Sequence, residues 1–139
     1  MRKALCVGID NYKSIPDLHG CVNDANSVKA VLERNGDGTL NFDVKLLCAT
    51  SETSFISRGQ LKDAVEDLFK SDVEIAVFYY SGHGSFDTTG GYLCTSEISR
   101  ADDGLFCRSH RASFSHGDDL PQSLPYHQAV REQHGFSGG

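Results

Sequence analysis

One ten-residue segment, at 75–84, constrains the fold of this chain more than any other. It joins an apolar run at 75–80 to the tetrapeptide Ser-Gly-His-Gly at 81–84. The apolar run is typical of a buried strand, and open α/β sheets place their chemistry just past the carboxyl ends of such strands. A histidine held there between two glycines is expected to be free of helix or strand geometry and to face a cleft. His83 is therefore the first candidate for a catalytic base.

The first hundred residues alternate between strand-like and helix-like patterns. Apolar runs predict strands at 4–9, 42–47 and 75–80, and a short hairpin is expected to begin near 91. Apolar residues at helical spacing predict one helix at 23–34 and a second that starts at a Ser-x-x-Gln capping box at 57–60. This order of elements predicts an α/β fold of three layers. We expect a mainly parallel sheet with right-handed crossovers and helices on both faces.

A change of composition near Leu105 predicts a domain boundary. Residues 105–139 hold only four of Leu, Ile and Val but four of the six histidines, and they show no sustained period. Such a sequence buries too little apolar surface to fold well by itself. We therefore expect a domain at 1–104, truncated after its third core strand, and a tail of low order at 105–139.

Charge and cysteine usage exclude several functional classes. A net charge of −6 argues against nucleic acid or an anionic membrane as partner. No segment has the roughly 18 consecutive apolar residues of a membrane span, and the first ten residues fit a strand better than a signal peptide. Five cysteines without a CxxC pair argue against a disulfide framework and a zinc site, so a reducing cytoplasm fits best.

Three motifs carry a family likeness. They are Val-Gly-Ile-Asp-Asn-Tyr at 7–12, Leu-His-Gly-Cys-Val-Asn-Asp-Ala at 18–25 and Tyr-Tyr-Ser-Gly-His-Gly at 79–84. In this order they resemble the large-subunit catalytic domain of caspase-like cysteine peptidases, and above all its metacaspase and orthocaspase branch. The resemblance covers residues 3–104.

The resemblance implies an endopeptidase in which a cysteine attacks the scissile carbonyl and His83 acts as general acid/base. A thiolate is the effective nucleophile, and an imidazole can favour it and transfer protons near neutral pH. The backbone amide of Gly84 matches the family's donor to the oxyanion hole.

The resemblance also implies a specificity pocket for the residue before the scissile bond. Asp24 matches the pocket aspartate, and Cys21 and Ser81 match other lining residues. A carboxylate at the base of a narrow pocket selects arginine or lysine, so the expected partner is a protein or peptide substrate with basic residues. Each residue also has a plainer interpretation: Asp24 as a helix cap, Cys21 as a small buried side chain, and Ser81 as part of a tight turn.

The resemblance implies no cofactor. An activating calcium ion is the one candidate. Some metacaspases use surface aspartates to bind an activating calcium ion. This chain resembles them in carrying Asp87, Asp102 and Asp103. Calcium takes about six to eight oxygen ligands, and no EF-hand spacing occurs, so a solvated acidic turn is favoured. A small subunit or a homologous caspase-like chain is a candidate protein partner.

The match fails at the nucleophile. In the family the cysteine follows a fourth apolar strand, in a motif like Asp-x-Cys-x-Ser-Gly, whereas here Gly135 takes the cysteine position and no cysteine follows Cys107. Three explanations stay open at this point. The chain is a truncated or frame-shifted form of an active peptidase, or a catalytically dead module that binds without cutting, or Cys94 or Cys107 is a relocated nucleophile. A non-functional fragment is the alternative to a binding module.

Overall fold

The computed structural model describes residues 1–51, 53–70, 72–87, 90–100, 103–107 and 124–127. Within these residues the chain forms six strands and two helices. In chain order they are β1 (Arg2–Ile9), α1 (Cys21–Glu33), β2 (Asp43–Ala49), α2 (Arg58–Lys70), β3 (Ile75–Asp87), β4 (Gly90–Leu93), β5 (Leu105–Cys107) and β6 (Leu124–His127).

The core of the sheet consists of β2, β1 and β3, with β1 in the centre and all three strands parallel. The register places Gly8 of β1 between Cys48 of β2 and Ser81 of β3. The antiparallel strands β4 and β5 extend the sheet beyond the distal half of β3. Gly84 pairs with both Leu93 of β4 and Leu124 of β6, so β4 and β6 lie on opposite edges of β3.

The two helices cover opposite faces of the sheet. One core cluster packs Leu5, Val7 and Tyr80 against α2, and a second packs Cys6 and Tyr79 against α1. Successive residues of a strand point to opposite faces, so β1 and β3 are buried on both sides. This double burial explains why these strands appear in the sequence as continuous apolar runs. The prediction of a three-layer α/β fold is confirmed.

Gly8 sets how closely α1 approaches the sheet. A Cβ atom at this position would lie 2.5 Å from the Cys21 carbonyl oxygen and 2.8 Å from Val22 Cα. Only a residue without a side chain lets the first turn of α1 pack directly on β1. The start of α1 is therefore held against the carboxyl-terminal half of β1.

The capping box at the start of α2 forms as predicted. The Gln60 amide donates to Ser57 Oγ at 3.1 Å, and the Ser57 amide donates to Gln60 Oε1 at 2.8 Å. The hairpin expected near residue 91 corresponds to β4, which pairs with the end of β3.

The expectations that the third strand ends before Ser81 and that His83 is free of strand geometry are wrong. β3 continues to Asp87, because β4 and β6 provide backbone partners for its distal half. Most of the predicted tail at 105–139 lies outside the described residues, and the described parts of it are β5 and β6. The domain boundary near Leu105 stays a prediction. No helix in the described ranges is long and apolar enough to cross a membrane.

Candidate active site

The candidate site lies at the end of the sheet where the connections that contain α1 and α2 run over opposite faces. From β1 the chain crosses to β2 over one face, and from β2 it returns to β3 over the other. Ligands of open α/β sheets bind at such a point, outside the carboxyl ends of the strands. Asp10 follows β1 there, His83 lies on the neighbouring β3, and α1 begins beside them.

The His83 imidazole is buried, and the structure distinguishes its two nitrogens. Nε2 lies 2.8 Å from the Pro16 carbonyl oxygen, which can only accept a hydrogen bond. In the neutral ring Nε2 therefore carries the proton and Nδ1 is the bare acceptor. Nδ1 is buried and has no hydrogen-bond partner among the described residues. A buried acceptor left unpaired costs about 1–3 kcal/mol, which a suitably placed donor would recover.

Two buried tyrosines hold the backbone of His83. The His83 amide donates to Tyr12 Oη at 2.8 Å. The one hydroxyl proton of Tyr80 is shared between two acceptors, the His83 carbonyl oxygen at 2.7 Å and the Cys94 carbonyl oxygen at 2.5 Å. The Tyr12 ring also meets the imidazole edge-on, with ring centroids 4.8 Å apart. Burial raises the pKa of both phenols, so both hydroxyls stay protonated at neutral pH. We call this pair the tyrosine clamp.

The glycine before His83 is required by the tyrosine clamp. A Cβ atom on Gly82 would lie 2.6 Å from the hydroxyl oxygens of both Tyr12 and Tyr80. These distances are well inside van der Waals contact, so the clamp closes on a residue without a side chain. The first glycine of the Ser-Gly-His-Gly motif therefore has a packing role.

The structure brings the three predicted pocket residues together. Cys21 and Asp24 lie three residues apart in the first turn of α1, on one face of the helix. Burial raises the pKa of the Cys21 thiol, the Ser81 hydroxyl opposes that rise, and the charges of Asp10 and Asp24 add to it. Burial likewise raises the pKa of Tyr79, with Ser81 lowering it and Asp24 raising it. Ser81 pairs with Gly8, against which the Cys21 carbonyl packs, so Cys21 and Ser81 lie close together, and the charge of Asp24 acts on Cys21 and Tyr79.

Asp24 and Ser81 differ in their surroundings. Asp24 is half-buried, and its backbone amide donates to the Gly20 carbonyl oxygen at 2.9 Å. Ser81 is fully buried, and its Oγ is left without a well-formed hydrogen bond in the described part of the chain. The pocket roles of all three residues stay predictions.

Sequence reasoning missed Asp10 and Pro16. Asp10 Oδ1 accepts a hydrogen bond from the Cys21 amide at 2.9 Å and a longer one from the Val22 amide at 3.4 Å. Two sequence signals could have indicated the capping role of Asp10. It is an acidic residue at the end of a strand, and α1 starts after a glycine, which has no side chain to cap it. Pro16 acts through its carbonyl oxygen, and a backbone atom in a loop leaves no signal in the sequence.

The described thiols are poorly suited to nucleophilic attack. Burial raises the pKa of Cys94 and Cys48, and it raises the pKa of Cys6 to about 11. A nucleophilic cysteine needs the opposite shift, because the thiolate is the reactive form. Cys94 is also buried, and its amide donates to the His83 carbonyl oxygen at 2.9 Å. The side chain of Cys107 lies outside the described part.

Gly84 and the acidic turn complete the inventory of predicted residues. Gly84 has strand partners on both edges, and its oxyanion role stays a prediction. Asp103 Oδ2 accepts hydrogen bonds from Ser99 Oγ and the Arg100 amide, both at 2.8 Å, and so closes a turn. Asp102 and the side chain of Asp87 lie outside the described residues. The described residues contain no cluster of three or more His, Cys, Asp or Glu that could hold a metal ion.

Comparison with known proteins identifies the family of this chain. The family model of the caspase domain matches residues 1–125. The chain belongs to the caspase domain family. It is 35% identical to metacaspase-4 of Arabidopsis thaliana over 88 residues, which are 60% of this chain and 21% of that protein. It is 32% identical to metacaspase-1 of Schizosaccharomyces pombe over 87 residues, which are 60% of this chain and 20% of that protein.

The resemblance stated from the sequence motifs is thus confirmed, and the domain is caspase-like and metacaspase-like. A third relative, metacaspase-1 of Cryptococcus neoformans, is 33% identical over 86 residues, 60% of this chain and 19% of that protein. The chain spans about a fifth of the length of these curated relatives. No solved structure matches the chain.

Proposed function

We propose that this caspase-like domain supplies the histidine side of a cysteine endopeptidase site that acts on protein substrates. The observation that carries the proposal is the imidazole of His83, with Nε2 bound to the Pro16 carbonyl oxygen and Nδ1 buried and unpaired among the described residues. A thiol brought to Nδ1 would donate its proton there and become a thiolate. The thiolate would attack the scissile carbonyl, and the imidazolium would return the proton to the leaving amine.

The nucleophile in this proposal is none of the described thiols. The support is that the described thiols carry raised pKa values and that the family's cysteine motif does not occur after His83. The resemblance assigns the backbone amide of Gly84, next to His83, to the developing oxyanion, a contribution typically worth about 3 kcal/mol. Because Gly84 pairs with strands on both edges of β3, this donation requires one of those pairings to open.

The pocket residues support a preference for arginine or lysine before the scissile bond. Asp24 is half-buried, three residues after Cys21 on α1, and its charge acts on Cys21 and Tyr79. A guanidinium or ammonium group entering this pocket would form a charge-assisted pair with the Asp24 carboxylate.

Catalysis is tested by completing the site. The chain would be joined to a metacaspase segment that carries the Asp-x-Cys-x-Ser-Gly motif, and hydrolysis of a fluorogenic arginyl peptide would be measured. We expect activity that falls about 10²- to 10⁴-fold in His83→Ala, since general acid–base catalysis contributes on this scale. His19→Ala is the matched control because His19 is exposed on a loop. Activity that is equal in the two variants would refute the role of His83.

Specificity is tested on the chain itself. Binding of an arginyl peptide would be compared with binding of the same peptide carrying glutamine in its place. We expect Asp24→Asn to remove the preference for arginine. Asp63→Asn, an identical change at an exposed position of α2, should leave it intact. An arginine preference that persists in Asp24→Asn would exclude Asp24 as the pocket acid.

A further inference from the structure

We propose that Asp10 is a positioning residue for the specificity pocket. Its carboxylate ties the first turn of α1 to the carboxyl end of β1, and so determines where Cys21 and Asp24 lie. This inference rests on the proposed function, in which Asp24 recognises a basic side chain.

Helix α1 has no local cap. Its N-cap residue is Gly20, which has no side chain to accept a hydrogen bond from the helix. The first amides of a helix have no partner within the helix and need an acceptor from elsewhere. Asp10 supplies it from eleven residues upstream, accepting from the Cys21 amide at 2.9 Å and more weakly from the Val22 amide at 3.4 Å.

Asp10 is itself fixed to the sheet. Its amide donates to the Ala49 carbonyl oxygen at the end of β2, at 2.9 Å. Its own carbonyl oxygen accepts from the Leu18 amide at 2.8 Å, which closes the loop between β1 and α1. The carboxylate that caps α1 therefore starts from a backbone held on two sides.

Helix α1 meets β1 and the residue that follows it at two separate points, Gly8 and Asp10. Gly8 lets the Cys21 carbonyl and Val22 pack directly against the strand, as described above. The hydrogen bonds of Asp10 add direction to that contact, because they pull on the amides of the same two residues. Asp24 lies one turn further along α1, so its position depends on both the Gly8 contact and the Asp10 hydrogen bonds.

The charge of Asp10 also reaches the pocket, since Asp10 and Asp24 both raise the pKa of the Cys21 thiol. The positive end of the helix dipole offsets part of the Asp10 charge. Asparagine at this position would keep the acceptor oxygen and remove the charge. Asp10→Asn and Asp10→Ala therefore separate the two contributions of the side chain.

The experiment measures binding of the arginyl and glutaminyl peptides to the full chain in Asp10→Ala, Asp10→Asn, Asp24→Asn and the double variant Asp10→Ala/Asp24→Asn. Loss of a helix cap corresponds to about a fivefold effect, so we expect Asp10→Ala to weaken arginyl-peptide binding by about that factor. Asp10→Asn should restore most of it. In the Asp24→Asn background, Asp10→Ala should have no further effect, because the two residues act through one site.

Amide hydrogen exchange reports the positioning independently of any peptide. Exchange at Cys21 and Val22 should accelerate in Asp10→Ala and stay close to the original rate in Asp10→Asn. Asp10→Asn also serves as the folded reference if Asp10→Ala loses global stability.

Three outcomes would overturn the inference in distinguishable ways. If Asp24→Asn removes the arginine preference while Asp10→Ala leaves peptide affinity unchanged, Asp10 has no positioning role and the proposed pocket stands. If the chain shows no arginine preference that depends on Asp24, the pocket proposal fails and the inference fails with it. A loss in Asp10→Ala that is equal for both peptides and persists in the Asp24→Asn background would show a general structural role.

Discussion

Replacing Gly82 with alanine tests whether the tyrosine clamp holds His83 as described. The new Cβ atom would lie 2.6 Å from the hydroxyl oxygens of Tyr12 and Tyr80, and 2.9 Å from Tyr80 Cζ. Both tyrosines are buried, so neither ring can move without disturbing its neighbours. The hydroxyls that must shift are the ones bonded to the amide and carbonyl of His83.

The expected cost follows from these contacts. Overpacking of a well-packed core costs about 1–3 kcal/mol, and each hydrogen bond that is weakened adds about 1 kcal/mol. We therefore expect Gly82→Ala to lower the free energy of unfolding by about 2–4 kcal/mol, a large share of the roughly 5–15 kcal/mol typical of a domain. The assay is urea denaturation followed by far-ultraviolet circular dichroism, with stability compared at unchanged denaturant slope.

Two further variants make the test specific. Gly36→Ala is the matched control, because a Cβ atom there has no neighbour within 4 Å, and its effect should stay within about 1 kcal/mol. Tyr12→Phe removes one of the two clashing hydroxyls, so in the Gly82→Ala background it should cost less than it does alone. The reasoning is refuted if Gly82→Ala is as stable as Gly36→Ala, or if the costs of Tyr12→Phe and Gly82→Ala simply add.

Three other predictions concern thiols and helix capping. Because burial raises the pKa of Cys6 from 9.0 to about 11, its contribution to stability is complete below about pH 9 and is lost as the pH rises towards 11. The free energy of unfolding should fall by about 2–3 kcal/mol over this pH range. In Cys6→Ala we expect a smaller fall, measured by urea denaturation at each pH. In the native chain iodoacetamide should label half-exposed Cys48 before buried Cys94, as followed by peptide mass spectrometry; rapid labelling of Cys94 would instead support a relocated nucleophile. Ser57→Ala should lower stability by about 1 kcal/mol through loss of the capping box, and an unchanged urea midpoint would show that the cap contributes nothing.

Much of the fold is readable from local sequence patterns. Strands buried on both faces leave continuous apolar runs, as in β1 and the first half of β3, and the pairing of Ser57 with Gln60 fixes the start of α2. The extension of β3 through Ser81–Asp87 was not readable, because glycines weaken the strand pattern and the partners β4 and β6 come from later in the chain.

The candidate site, like the fold, could be predicted from the sequence only in part. The motifs named His83 and the pocket residues, since each contributes a side chain of distinctive type. The motifs did not indicate the role of the Pro16 carbonyl oxygen, because every residue type has a backbone carbonyl group. They did not indicate the cap from Asp10 either, because that contact depends on how the loop after β1 folds back on α1. Contacts made by backbone atoms and by distant loops need the three-dimensional structure.

The central claim is that His83 is held as a base, with Nε2 bound to the Pro16 carbonyl oxygen and Nδ1 bare. Nitrogen-15 NMR of the imidazole in the neutral ring tests it most directly. The account predicts a proton on Nε2 that exchanges slowly with water, in contrast to the ring protons of exposed His19, and an unprotonated Nδ1. A proton on Nδ1, or an Nε2 proton that exchanges as fast as that of His19, would contradict it.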